Sequence, residues 1–178
     1  MIRRAKEFSP EALIIQNRGF LENFESEILR GISTLAVLAI INEYGDEGTY
    51  GYAILKNLEE KTGALLVIED GTLYPILKKL QRDGLIVSEK KFVSGRQRTY
   101  YRLTLEGLKL FNHMEGFFTK LMASIAPLFE IKVSFREDRF SHCPNCLNKI
   151  DLRDETVRFC EICGLNIEDL RRRFKNES

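Results

Sequence analysis

The spacing of apolar residues changes several times along the chain, and each change marks an element. Ser9-Pro10-Glu11 offers an N-cap, a proline for the first helical position and an acid for the first turn. Leu13, Ile14, Phe20, Leu21, Phe24 and Ile28 follow at roughly helical spacing, with Gly19 weakening the middle, which predicts a bent or broken arm helix. Leu29 to Glu43 is apolar on nearly all sides and reads as a helix buried in a core. Past the Gly45–Gly48 break, Thr49 is placed to cap a second helix through Ile54, Leu55 and Leu58, stopped by Gly63. Leu73, Ile76, Leu77 and Leu80 form an i, i+3, i+4, i+7 set on a third helix. Pro75 falls near its first turn, where a missing N–H costs little, and Gly84 ends it.

The period then shortens. Ile86 to Val93 and Arg98 to Leu103 are rich in β-branched and aromatic residues, and Ser94-Gly95-Arg96-Gln97 between them predicts a hairpin. Thr104 opens a long helix whose Leu110, Phe111, Met114, Phe117, Phe118, Leu121, Met122 and Ile125 make a wide stripe, ended by Pro127. Phe129, Ile131, Val133 and Phe135 alternate with polar residues, as in a short strand. Three helices followed by a two-stranded hairpin is the order of a winged helix-turn-helix, in which the third helix enters the major groove of DNA.

Charge sharpens this picture. The chain has 178 residues and a net charge of only +1, yet the sum hides a partition. Residues 1–71 hold 7 basic and 12 acidic side chains, residues 72–109 hold 9 basic and 3 acidic, and residues 110–178 hold 11 of each. A basic block inside a more acidic chain is a candidate footprint for a polyanion. On a helical wheel Lys78, Lys79 and Arg82 point away from the apolar stripe of the third helix, with Thr72 and Tyr74 near its start. Lys90, Lys91, Arg96 and Arg98 belong to the hairpin. These nine residues are the expected DNA contacts, the cations holding phosphates and Thr72 or Tyr74 reaching base edges or backbone oxygens, with Gln81 as a further candidate for the latter.

All four cysteines fall in one construction, Cys143-Pro-Asn-Cys146 and, thirteen residues on, Cys160-Glu-Ile-Cys163. Two such knuckles close a tetrahedral four-sulfur site, so one structural Zn²⁺ per chain is expected, with iron as the rival metal. A closed site leaves no coordination position for water, and no nucleophile has a plausible partner in His113 or His142, so no catalytic residue is assigned. Asn166-Ile167-Glu168-Asp169 resembles a capping box that opens a last short helix carrying Arg171-Arg172-Arg173. The longest apolar run, Leu35 to Ile41, is far short of a membrane span.

Asp70-Gly71-Thr72-Leu73-Tyr74-Pro75-Ile76-Leu77-Lys78-Lys79-Leu80, with Asp83-Gly84-Leu85-Ile86, resembles the recognition-helix signature of the PadR family of transcriptional regulators. Gly95-Arg96, Tyr100-Tyr101-Arg102-Leu103-Thr104 and Glu106-Gly107 resemble that family's wing and the start of its last helix; Leu29-Arg30-Gly31 and Gly51-Tyr52 match its first two helices. The resemblance covers about residues 28 to 111; the segment from Phe129 onward has no counterpart in the usual pattern, and Gly45–Thr49 and Ala64–Ile68 are longer than usual. It implies a dimeric, repressor-type DNA-binding protein whose last helix supplies much of the dimer contact, and a small-molecule effector that relieves binding.

The expected fold is mainly α with a β-hairpin wing, plus a small β zinc-ribbon module. The expected parts are an arm helix (1–27), a winged helix-turn-helix domain (28–104), a dimerisation helix (105–126) and a metal module with a short C-terminal helix (127–178). The expected partners are an inverted-repeat double-stranded DNA operator, a second copy of the chain, and a protein or nucleic-acid contact of the metal module. The expected location is the cytoplasm, at the nucleoid. The alternatives are a basal transcription factor resembling archaeal transcription factor E, which joins a winged helix to a zinc ribbon, and an iron-binding redox protein.

Overall fold

The computed structural model describes residues 2–3, 18–93, 95–131 and 140–177. The chain divides into two compact units, Met1–Leu108 and Lys109–Ser178. In the first, β1 (Ile2–Arg3) is followed by α1 (Arg18–Glu43), β2 (Thr49–Tyr50), α2 (Gly51–Lys61), β3 (Val67–Ile68), α3 (Asp70–Arg82), β4 (Ile86–Val93), β5 (Arg96–Leu103) and the start of α4 (Leu105–Ile125). The second holds the rest of α4, then β6 (Phe140–His142), β7 (Lys149–Asp151) and α5 (Glu168–Glu177).

The first unit is built around the expected stripes. Val37, Leu38 and Ile41 of α1, Ile54 and Leu58 of α2, and Leu73, Leu77 and Leu80 of α3 are buried together with Ile86 and Tyr101 of the hairpin. The 4-and-3 spacing of Leu73, Leu77 and Leu80 puts them on one side of α3, so packing them turns Lys78, Lys79 and Arg82 outward. β4 and β5 pair in antiparallel register from Ile86↔Leu103 to Val93↔Arg96, and β2 extends the sheet on the far side of β5 through Thr49↔Tyr101 and Tyr50↔Tyr100. β1 pairs with β3 through Ile2↔Ile68 and Arg3↔Val67.

Several local expectations are revised. α1 runs without interruption over Arg18–Glu43, through the expected boundary between arm and core helix near residue 28; the bend expected at Gly19 would involve residues 4–17, which lie outside the described residues. The Ser9-Pro10-Glu11 start lies outside the described residues. Thr49 does not cap α2: it is a buried strand residue opposite Tyr101, its Oγ1 has no hydrogen-bond partner, and Tyr50 takes the cap position without a side-chain bond. Pro75 sits in the second turn of α3, where its missing N–H deprives the Gly71 carbonyl of its i+4 donor. Arg96 and Gln97 belong to β5, so only Ser94 and Gly95 separate the two strands. Phe129 ends a 3₁₀ turn (Ala126–Phe129) and Ile131 follows a left-handed Glu130, so the expected alternating strand does not start there; Val133 and Phe135 lie outside the described residues.

The junction between α3 and α4 is tightly specified. Thr104 Oγ1 donates to the Gly84 carbonyl (2.8 Å) and accepts from the Gly107 N–H (3.0 Å), which caps α4, while the Thr104 N–H donates to the Leu85 carbonyl (3.0 Å). A Cβ on Gly107 would stand 1.8 Å from the Leu85 carbonyl oxygen, so glycine alone admits this approach of backbone to backbone.

The second unit has its own core of Cys143, Ile150, Leu152, Cys160 and Ile167, with Cys146, Val157, Leu165 and Leu170 packed against it. The two cysteine knuckles share one hydrogen-bond plan. Cys143 donates to Asn148 (2.8 Å) and Leu147 to Cys143 (2.9 Å), as Cys160 donates to Leu165 (2.8 Å) and Gly164 to Cys160 (2.8 Å). Leu147 (φ 60°) holds the left-handed place that Gly164 (φ 71°) holds in the second knuckle. The last helix does start where expected, but in place of the expected capping box Asn166 Oδ1 accepts from the Glu168 N–H at 2.9 Å, Ile167 takes the N-cap position and Asp169 lies 3.7 Å from Arg172. Among the described residues no helix is long and apolar enough to cross a membrane.

Candidate DNA interface and metal centre

Lys78, Lys79 and Arg82 are exposed on the outer side of α3, with Arg82 also paired to its neighbour Asp83 at 3.1 Å. Thr72 is half-buried near the start of the helix, and Tyr74 is 44% exposed. Lys90 is exposed on β4. Beside it Lys91 is partly committed: its ammonium donates to the Glu47 carbonyl (3.2 Å), lies 3.6 Å from Glu89 and sits 5.1 Å from the centre of the Tyr100 ring.

Tyr74, Arg96 and Arg98 line one cleft of about 670 Å³, together with Tyr50, Tyr52 and Tyr101. The first three are among the residues expected from sequence; Tyr50 and Tyr52 are not. Arg98 stacks on the Tyr50 ring at 4.3 Å, and Tyr50 in turn packs on Tyr100 at 5.4 Å. The signal present in the sequence is the cluster Tyr50-Gly51-Tyr52, but only the pairing of β2 with β5 brings it beside the wing. Thr72, Lys78, Lys79, Arg82, Lys90 and Lys91 do not line this cleft. An aromatic cleft with two guanidinium groups, flanked by a cationic helix face, suits phosphodiester and base edges.

Comparison with known proteins identifies the family of the winged unit. The model of the transcriptional regulator PadR-like family matches residues 37–118, from the buried part of α1 through the wing and into α4. A transcriptional regulator from Clostridium thermocellum superposes with a TM-score of 0.51 at 32% identity, covering 57% of this chain and 96% of that one. The chain belongs to the PadR-like family. A PadR family regulator from Eggerthella lenta gives a TM-score of 0.53 at 29% identity over 65% of this chain and 94% of that one. A 40-residue stretch is 52% identical to a transcriptional regulator of Mycobacterium tuberculosis; it is 22% of this chain and only 37% of that relative's length. This PadR-like chain is thus a DNA-binding transcriptional regulator, and its relatives are regulators rather than enzymes.

The family match ends at residue 118, before the cysteines. The sulfurs of Cys143, Cys146, Cys160 and Cys163 all lie within 4.8 Å of one another, with Cys143–Cys163 at 3.5 Å and Cys146–Cys160 at 3.4 Å. A tetrahedron with metal–sulfur bonds of about 2.3 Å has edges of roughly 3.8 Å, so the cluster has the size a thiophilic cation needs. Its electrostatics agree. Burial pushes the Cys143 and Cys146 thiols up, the latter to about 12, while the Asn145 side chain and the Leu165 N–H hold Cys163 down to about 6. A cation coordinated here would deprotonate the raised thiols outright. The Asn148 amide, itself buried, points at Cys160 Sγ from 3.9 Å. His113 and His142 are not among the four ligands; the Nδ1–H of His113 donates to the Cys146 carbonyl at 2.8 Å.

Proposed function

We infer that this PadR-like regulator is a homodimer that represses transcription by occupying an inverted-repeat operator. The observation that carries the reading is the single cleft in which Tyr74 of α3 meets Arg96 and Arg98 of the wing. Lys78, Lys79 and Arg82 on α3 and Lys90 and Lys91 on β4 supply further cations for phosphate contacts that fix register on the duplex, although Lys90 and Lys91, adjacent on the strand, face opposite sides of the hairpin. Tyr50 and Tyr52 join them as contacts that the wing geometry suggests.

The dimer reading rests on exposed apolar residues at helical spacing. Phe20 (75%), Phe24 (55%) and Ile28 (56%) form a bare stripe on α1, and Phe117 (55%) and Leu121 (41%) another on α4. Stripes of this kind on a regulator helix are covered by the same stripe of a second copy, which a two-fold axis makes self-complementary. Two-fold symmetry then asks for half-sites about one helical turn apart. The cysteine cluster holds one Zn²⁺ as a structural ion, since the module's core is small and two of its five buried members are ligands.

Footprinting on the protein's own promoter, with sedimentation of the free protein, tests the reading. It expects one protected inverted repeat and a dimer at micromolar concentration. A monodisperse monomer with no protected repeat overturns it and moves the polymerase-contacting basal factor ahead.

A further inference from the structure

Within the second unit α4 carries two adjoining surfaces. One is the seat of the first cysteine knuckle. His113 donates to the carbonyl of Cys146 (2.8 Å), and Glu115 receives the Lys149 ammonium on both carboxylate oxygens (3.1 and 3.0 Å). Gly116 is buried so closely that a Cβ there would meet the Leu147 carbonyl oxygen at 2.4 Å and the His142 ring at 2.6 Å. All these partners lie in the knuckle or in the β6 and β7 strands that flank it. The other surface is the apolar stripe, with Phe117 and Leu121 exposed. At 100° per residue Phe117 lies only 40° from His113, so the stripe borders the seat rather than lying across the helix from it.

The module's own order depends on the cation. Cys143 and Cys160 are two of its five buried core residues, and a knuckle whose thiols lack their ion leaves that core around uncompensated sulfur. In a site so small, metal-binding free energy is folding free energy. The seat on α4 therefore stands or falls with the ion, and with it the edge of the stripe that a second copy covers.

We propose that metal occupancy of the Cys143–Cys146–Cys160–Cys163 cluster is a regulatory input: a thiophilic divalent cation, by ordering the knuckle that rests on His113, Glu115 and Gly116 of α4, strengthens the α4 dimer contact and hence operator binding. The proposal rests on the dimer and metal readings above and adds the coupling between them. Linkage makes it reciprocal, so the dimer holds the ion more tightly than the monomer does. Loss of the ion loosens the dimer and releases DNA, without any ligand entering the winged domain.

The test uses the full chain with Zn²⁺ alone as the probe, loaded or stripped by a chelator, and reads sedimentation equilibrium and duplex affinity side by side. Stripping is expected to weaken both dimerisation and duplex binding at least tenfold, and Zn²⁺ to restore them. In loaded protein Glu115→Lys and Lys149→Glu should each weaken the dimer, and the double exchange should recover it. Gly116→Ala separates seat from helix: helix propensity alone favours alanine, whereas a seat so close to Leu147 predicts a weaker dimer and faster Zn²⁺ loss. If stripped protein dimerises and binds DNA within twofold of loaded protein, the coupling is wrong while the regulator reading stands. A chain that takes up no Zn²⁺ overturns the proposal together with the metal reading; a loaded chain that stays monomeric overturns it together with the dimer reading.

Discussion

The guanidinium of Arg98 lies 4.3 Å from the centre of the Tyr50 ring, and this stacking joins the wing to the cap residue just before α2. The long arginine side chain gives up rotamer freedom on the ring before any DNA arrives, so less ordering is left to be done on binding. Pairing of Tyr50 with Tyr100 across the sheet fixes the ring from behind.

Tyr50 should therefore behave as a positioning residue for Arg98. Tyr50→Leu removes the ring face and is expected to weaken duplex binding several-fold, in line with a cation–π contact of about 0.5–2 kcal/mol. Tyr50→Phe keeps the face and should bind nearly as the parent does. Titrations at several salt concentrations check this: with Leu, one fewer neutralised phosphate should lower the salt slope by about one. Equal losses for Leu and Phe would point to the phenol oxygen instead.

A second expectation concerns stability. Thr104→Ala removes the cap of α4 and its bond to the Gly84 carbonyl, at a cost of about 1 kcal/mol. Gly107→Ala must push the Leu85 backbone away and should cost about 1–3 kcal/mol despite the better helix propensity of alanine. Urea unfolding of the two variants gives the order directly. A more stable Gly107→Ala protein would contradict the approach of α4 to Leu85.

Elements governed by local periodicity could be read from the chain. Leu73, Leu77 and Leu80 announce both the helix and its buried side, and the outward direction of Lys78 and Arg82 follows from them. Cys-x-x-Cys spacing places the sulfurs because each knuckle closes its own short hydrogen-bonded loop. What escaped depends on residues distant in sequence. Thr49 looks like a helix cap until Tyr101 arrives beside it as a strand partner. Tyr50 and Tyr52 have no reason to be called site residues until β5 carries Arg96 and Arg98 next to them. Nothing in the local pattern around Gly107 or Gly116 signals that another backbone comes within touching distance of each.

The metal centre gives a third test. Purified chain should hold one zinc per molecule, and Cys160→Ser should abolish stoichiometric binding, since Cys160 is both ligand and core residue. Hydrogen exchange should then show the second unit opening while amides around Leu38, Ile54 and Leu77 stay protected, because that core contains no part of the cluster. Purified protein carrying the visible colour of iron–thiolate bonds would assign iron to the site instead. Full protection of the second unit in Cys160→Ser would show that the module folds without its ion.

The last expectation separates reading of sequence from positioning on the backbone. Arg96 starts β5 beside the turn and lines the cleft, a place suited to phosphate or minor-groove contact. Lys78 is exposed on the outer side of α3, the helix that enters the major groove in this architecture. Arg96→Ala should weaken operator and scrambled duplex alike and lower the salt slope by about one for each phosphate that the guanidinium neutralises. Lys78→Ala should cost about 1–3 kcal/mol on the operator and little on scrambled DNA if the ammonium reaches a guanine edge. The same uniform loss as in Arg96→Ala would make Lys78 a phosphate contact. The separation matters because only a base contact changes which operator is chosen, whereas a phosphate contact scales affinity for every duplex. Unchanged affinity of both variants on both duplexes would remove the basic surface from the mechanism and move the polymerase-contacting basal factor ahead.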